Sequence, residues 1–386
     1  MKTIYLDHAA STPVDAKVKE AMLPYFSEKY GNASSIHQFG SEAKEALEDS
    51  RKTIAKKLNA SPEEIIFTSG GTESNNFALK GIAFANKDKG SHIITSKIEH
   101  ECVLNSCKWL EKQGFKVTYL KPDRSGLIRP DDLKKAITKE TIIASVMHAN
   151  NEIGTIEPVK ELGKICRDNG IYFHTDACQS FTKVPLDVKK DNLDLVTVNS
   201  HKIYGPKGAG ALYIKNGTRI DAWQHGGGHE KNRRSGTENI SGIVGFAKAA
   251  EIARQSDIQQ MTRLRDMLIR RIPDEIPNTR LNGHSTQRLC NNTNFSFRHI
   301  EGESLLLRLD AKGIACSTAS ACSSHTLKPS HVLLAIGLEP EEAHSSLRIT
   351  VGKENTDDEI KYTIDALKEG VRALREISPF GEKNVQ

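Results

Sequence analysis

Lys202 lies in residues 194–210, DLVTVNSHKIYGPKGAG, where chemistry is most readily suspected. A β-branched run, DLVTV, reads as a buried strand and gives way to Asn199, Ser200 and His201, then to the lysine and a glycine-rich turn. An amine just off the end of a buried strand is partly desolvated and loses some of its preference for the charged form. A neutral amine forms an imine with an aldehyde, and pyridoxal phosphate (PLP) is the common biological aldehyde held this way. A solvated lysine beside a turn fits the same stretch, so the companions of Lys202 must decide.

Those companions share one kind of position. Gly71 and Thr72 stand between a strand and a helix, where glycine-relaxed backbone N–H groups and a hydroxyl can bind an anion or simply cap the helix. His100 follows the strand HIITS and has the pKa range for proton transfer, although a lone histidine is often structural. Asn151 belongs to a polar cluster, HANNE, after another strand, while Asp176 and Gln179 follow a third in HTDACQS. By itself Asp176 could cap the next helix. In a parallel sheet, however, all these strand-to-loop junctions share one edge and converge on one crevice. The 26 residues from Asp176 to Lys202 allow one connection and one strand, which puts carboxylate and amine on neighbouring elements.

The elements that must position these residues alternate. Strands are expected in EEIIFTSGG, 92–96, 116–120, 141–149, 171–177, 194–198 and 210–214, with helices over 73–86, 101–113 and 159–169 between them. Helices over 15–29 and 40–58 precede the series. The pattern predicts a mostly parallel seven-stranded sheet covered by helices. After residue 240 it changes to a long helix interrupted near 255–257 and ended by Pro273 and Pro277, then to shorter strands and helices (303–312 and 357–375). This reads as a smaller α+β C-terminal domain, against which the N-terminal segment packs. The expected division is 15–258 for the large domain and 1–14 with 259–386 for the small one.

The totals exclude several function classes. A formal charge of +5 spread thinly over 386 residues argues against nucleic acid. No apolar run approaches membrane-spanning length, and MKTIYLDHAAST is not an export signal, so a cytoplasmic protein is expected. Seven cysteines, at 102, 107, 166, 178, 290, 316 and 322, form no CxxC pair and suggest buried thiols rather than disulfides.

HTDACQS and SHKIYGPKG together resemble the class V branch of fold-type I PLP-dependent transferases. YLDHAASTPVD, FTSGGTESNN, HANNEIGT, GGGHEKNRRSGTEN, STASACSS and SSLRITVG narrow the resemblance to cysteine desulfurases of the NifS/IscS type, over residues 5–358. The resemblance implies that Lys202 holds PLP covalently and that Asp176 keeps the pyridine nitrogen protonated. It further implies that Gln179 contacts the ring hydroxyl and Asn151 the ring edge. His100 stacks over the ring, moves protons and deprotonates the incoming thiol. Gly71, Thr72 and His201 bind the phosphate with help from Asn199 and Ser200, and Thr237 reaches the phosphate of a neighbouring subunit in a homodimer. Arg348 clamps the carboxylate of L-cysteine, with Asn151 nearby.

Cys322 takes the sulfur as a persulfide in this scheme, on a loop of the long type. Cysteine thereby becomes alanine, and the sulfur passes to an IscU-like scaffold for iron–sulfur cluster assembly. In such proteins the same cysteine can share a transient [2Fe–2S] cluster with the scaffold. Two departures from the family pattern stand out. Asn199 replaces a serine three residues before the lysine, with Ser200 one place later, and Ala319 replaces a glycine in the loop. Rival readings are a selenocysteine lyase or aminotransferase of the same fold, and a catalytically weak platform that ligates a cluster. A zinc site from Cys316, Cys322, His325 and His331 lacks the usual short ligand pairs.

Overall fold

A computed structural model describes residues 3–318 and 328–378. Its strands, in chain order, are β1 (Ile4–Tyr5), β2 (Ile65–Thr68), β3 (His92–Ser96), β4 (Lys116–Leu120), β5 (Thr141–Ser145), β6 (Tyr172–Asp176), β7 (Leu195–Asn199), β8 (Gly210–Ile214), β9 (Thr279–Leu281), β10 (Asn292–Phe297), β11 (Ile314–Ala315) and β12 (Ser346–Thr350). Seven of them form one sheet in the order β2-β8-β7-β6-β5-β3-β4. β3 to β7 pair in parallel, and only β8 runs antiparallel to its neighbours, β2 and β7.

The strands of this sheet are short and, apart from β4, buried along almost their whole length, as expected where helices cover both faces. Alternation sorts their side chains. Phe67, Ile94, Phe173, Val196 and Val198 join one apolar core, while Ile66, Ile93, Ile143, Leu195 and Leu212 join another on the opposite face. Gln38–Leu58 packs against the first face, and Gly71–Ala85 with Glu101–Lys112 against the second. Because β2, β3, β5, β6 and β7 point the same way, their carboxyl ends share one edge.

A third apolar core lies around an antiparallel sheet, β12-β10-β9, covered by helices Gln255–Glu275, Gly302–Asp310 and Asp357–Ile377. Ile4 and Leu6 belong to this core, and β1 pairs in parallel with β11. The N-terminal segment carries Asp7 and Ala9 to the edge of the large sheet. The structure has no helix long and apolar enough to cross a membrane among the described residues.

Some boundaries differ from expectation, each for a local reason. The helix expected over 15–29 divides into Ala16–Met22 and Pro24–Ser27, because Pro24 has no N–H to continue the first and suits the start of the second. The break in the long helix falls at Ala253 and Arg254, and the following helix runs through Pro273 to Glu275. The strand expected over 141–149 stops at Ser145, beyond which the chain turns into the polar loop that carries Asn151. Pro130–Ala136 was not expected as a helix, although Pro130 and two aspartates in its first turn are a starting signal.

Candidate active site

The carboxyl edge of the large sheet opens into a cavity of about 310 Å³. Gly71, Thr72, His100, Asn151, Asp176, Asn199, His201, Lys202 and Arg348 all line it. The first eight come from the ends of β6 and β7 or from loops and helix starts after β2, β3, β5 and β7, and Arg348 from β12 of the other core. Gln179 and Ser200 are buried just behind this surface; the Gln179 amide donates to Ala9 O at 2.9 Å. Thr237 is exposed and lies outside the cavity lining. Cys322 and Ala319, with His325, fall outside the described residues.

Each wall of the cavity has its own electrostatics. After β2 the chain enters helix Gly71–Ala85 through Gly70, whose φ of 151° suits glycine. The first intrahelical bond is Ser74 N–H to Gly70 O, so the N–H groups of Gly71 and Thr72 at the cavity have no acceptor in the helix. A side chain on Gly71 would come within 2.6 Å of Cys178 Sγ, so only glycine allows helix and β6 loop to approach this closely.

Asp176 ends β6 and is almost fully buried. Burial alone would raise its pKa. The Cys178 N–H on Oδ1 (2.9 Å), the nearby His100 and the Asn75 amide on Oδ2 (2.6 Å) outweigh burial and hold the carboxyl below its usual range. The result is a buried, fixed negative charge facing Lys202 and His100 across the cavity. His100 is the N-cap of Glu101–Lys112, and its Nδ1 accepts the Cys102 N–H at 3.2 Å. Burial pushes its pKa below the ordinary histidine value, with Asp176 opposing and Lys202 adding to the shift. His201 is pushed down to about 4 by burial, with Lys202, Lys207 and Lys183 contributing.

Arg348 closes the cavity from the other side. Its Nη2 pairs with Asp7 at 2.7 Å and its Nη1 donates to Asn151 O at 3.2 Å. Its Nε is buried without a partner among the described residues. A guanidinium held in this way presents a fork to a carboxylate.

Sequence reasoning missed Asp7, Asn75, Cys102, Cys178 and Ser317, which also line the cavity. Asn75 and Cys102 lie inside amphipathic helices, and nothing in a 3.6-residue periodicity separates a polar core residue from a site residue. Cys178 could have been found, being two residues beyond Asp176 in the same junction.

The donor set fits PLP. Helix-start N–H groups without an intrahelical acceptor, beside Asn199 and His201, suit a phosphate. A buried ionised carboxylate suits a protonated ring nitrogen, and the Lys202 amine suits an aldehyde. Buried acceptors without partners among the described residues, Gln179 Oε1 and Asn199 Oδ1, remain for further polar contacts.

Comparison with known proteins agrees with this chemistry. The class-V aminotransferase family matches residues 4–363. The cysteine desulfurase IscS of Dictyoglomus turgidum is 53% identical over 385 residues, covering 99% of this chain and 98% of that protein. Its counterpart in Methanosarcina thermophila is 54% identical, covering 99% and 95%. Among solved structures, a NifS-like protein superposes with a TM-score of 0.91 at 37% identity, over 96% of this chain and all of the other. SspA in complex with cysteine superposes at 0.84 with 38% identity, over 92% of this chain and all of SspA. The chain, with a lysine, a buried aspartate and a histidine gathered at the carboxyl edge of its sheet, belongs to the cysteine desulfurases of the class-V aminotransferase family.

Proposed function

We infer that the protein converts L-cysteine to L-alanine and passes the sulfur to Cys322 as a persulfide. The observation that carries this reading is the gathering of Lys202, Asp176, His100 and Arg348 around one cavity. PLP, held at Lys202, supplies an electron sink for the charge left at the substrate Cα. Gly71, Thr72, Asn199 and His201 hold its phosphate end, with Ser200 behind them, and Asp176 keeps its ring nitrogen protonated. Gln179 and Asn151 contact the ring. Arg348 binds the substrate carboxylate and so aims the Cα proton at Lys202, which removes it. His100, in the cavity wall, would move protons to and from the substrate. The Cys322 thiolate then bonds to the substrate sulfur as the carbon–sulfur bond breaks, and the carbon skeleton leaves as alanine.

Several finer features belong to the same reading. The chain works as a homodimer, in which the exposed Phe26, Tyr30, Ile36 and Phe39 of one segment are covered and Thr237 reaches the partner's phosphate site. The acceptor is an IscU-like scaffold, and Cys322 shares a transient [2Fe–2S] cluster with it. A free catalytic thiol favours a reducing compartment, the cytoplasm. Residues 15–258 form the cofactor-binding domain, and 1–14 with 259–386 the small domain that carries the cysteine loop. A Lys202→Ala variant tests the core of the proposal, because alanine formation from L-cysteine should stop. Alanine at the normal rate would remove Lys202 from the chemistry.

A further inference from the structure

Cys102 is a second thiol in the cavity wall, and it lies between two groups whose protonation matters. Asn75 Nδ2 donates to Asp176 Oδ2 at 2.6 Å and to Cys102 Sγ at 3.2 Å. The orientation of that amide is fixed chemically, because only its NH2 group can face a carboxylate at this distance. Its second N–H then points at sulfur, so Sγ is an acceptor on the Asn75 side. On the other side Sγ stands 3.0 Å from His100 Nδ1. Nδ1 already accepts the Cys102 backbone N–H, as the N-cap geometry of the helix requires. It therefore carries its lone pair, which the thiol S–H meets by sharing it with that backbone N–H.

We propose that Cys102 is a positioning residue: its S–H donates to His100 Nδ1, while Asn75, anchored on Asp176 by one N–H, gives its other N–H to Sγ and so leaves the thiol hydrogen to face the imidazole. Asn75 is the donor at both of its contacts, to Asp176 Oδ2 and to Cys102 Sγ, and Cys102 is in turn the donor to His100 Nδ1. The consequence is a tautomer. The resting, neutral His100 carries its proton on Nε2, the nitrogen with no partner among the described residues, and presents a donor to the cavity. The lone pair that would have to take up a proton, on Nδ1, faces Cys102 rather than the cavity. A proton on Nδ1 would deprive the Cys102 backbone N–H of its acceptor and force the S–H to turn away, so these contacts oppose the imidazolium.

Other features agree. Burial, with Asp176 adding, pushes the Cys102 thiol up to about 12, so it remains an S–H rather than a competing nucleophile. The charged and titratable groups facing His100 are Asp176 after β6, Lys202 after β7, Glu101 on its own helix and His331 from helix His331–Ala335. None of them occupies Nδ1. The role of Cys102 rests on the reading of His100 as a proton-handling residue, but its test does not depend on desulfurase activity.

The test is 15N NMR of histidine-labelled holoenzyme without substrate, titrated with pH, with the His100 signal assigned by its loss in His100→Asn. The expected wild-type signal is the Nε2–H tautomer, titrating below the ordinary histidine range. Cys102→Ala should titrate higher by roughly one unit, the equivalent of one modest hydrogen bond, and Cys102→Ser, which restores a donor, should return most of that shift. The corresponding limb of the kcat/KM profile for L-cysteine should move with it. An Nδ1–H tautomer in the wild type, or an unchanged His100 titration in Cys102→Ala, overturns the proposal. Absence of alanine formation with the tautomer as expected would instead count against the desulfurase reading.

Discussion

Glu99, one residue before His100, offers a quantitative test of how the site is held. Its carboxyl is fully buried. Oε1 accepts the Ser96 hydroxyl at 2.6 Å and the Met147 N–H at 2.9 Å, tying the end of β3 to the end of β5. Oε2 is buried without a partner among the described residues. Burial pushes the pKa from 4.5 up to about 8, against the two hydrogen bonds and with the nearby Asp176 adding to the rise. The native state thus binds a proton that the unfolded chain releases between pH 4.5 and about 8. Stability contributed by this proton is complete below pH 4.5 and is lost as pH rises towards 8. The loss between pH 5 and 8 is roughly 3 kcal/mol.

Glu99→Gln keeps the Oε1 contacts and cannot ionise, so it imitates the protonated wild type at every pH. Urea unfolding of both proteins at fixed protein and cofactor concentrations measures the difference. Near pH 5 the variant should equal the wild type or fall slightly below it; by pH 8 it should be the more stable protein. Buried histidines such as His148 and His174, both pushed down to about 4 by burial, destabilise the fold as pH falls below 6.5. They do so equally in both proteins and cancel in the difference. A difference that stays constant from pH 5 to 8 would refute the buried, protonated Glu99.

Other predictions concern the supports of the site. Glu230 accepts two bonds from the buried Arg51 (2.7 and 2.8 Å) and one from the Phe67 N–H (2.7 Å), so Glu230→Ala should cost about 3–5 kcal/mol, measured by urea unfolding. A loss below about 1 kcal/mol, the scale of an exposed pair, would contradict that assignment. Asp7→Asn removes the counter-charge of Arg348 and should lower KM for L-cysteine by about tenfold, because the substrate carboxylate no longer competes with Asp7. A raised KM in steady-state assays would instead make Asp7 an orienting group.

The sheet was legible because β-branched runs such as IIFT, HIITS and LVTVN are too short and too apolar to be anything but buried strands between helices. The cavity residues were legible where they stand at strand ends: Asp176 ends β6, and Lys202 follows its parallel neighbour β7, as their separation implied. Asp7 was not, since it reaches Arg348 through the pairing of β1 with β11 and its own bridge to Thr350 of β12, contacts between opposite ends of the chain. Asn75 and Cys102 were hidden by helical periodicity, and their significance appears only when the two helices bring them to Asp176 and His100.

A single turnover tests the central claim most directly: PLP-loaded protein is mixed with L-cysteine in the absence of reductant, and alanine and the Cys322 persulfide are quantified together. The account predicts equal amounts of both. Neither product from a visibly cofactor-loaded protein would contradict it, and alanine without a persulfide at Cys322 would contradict the sulfur route through that cysteine.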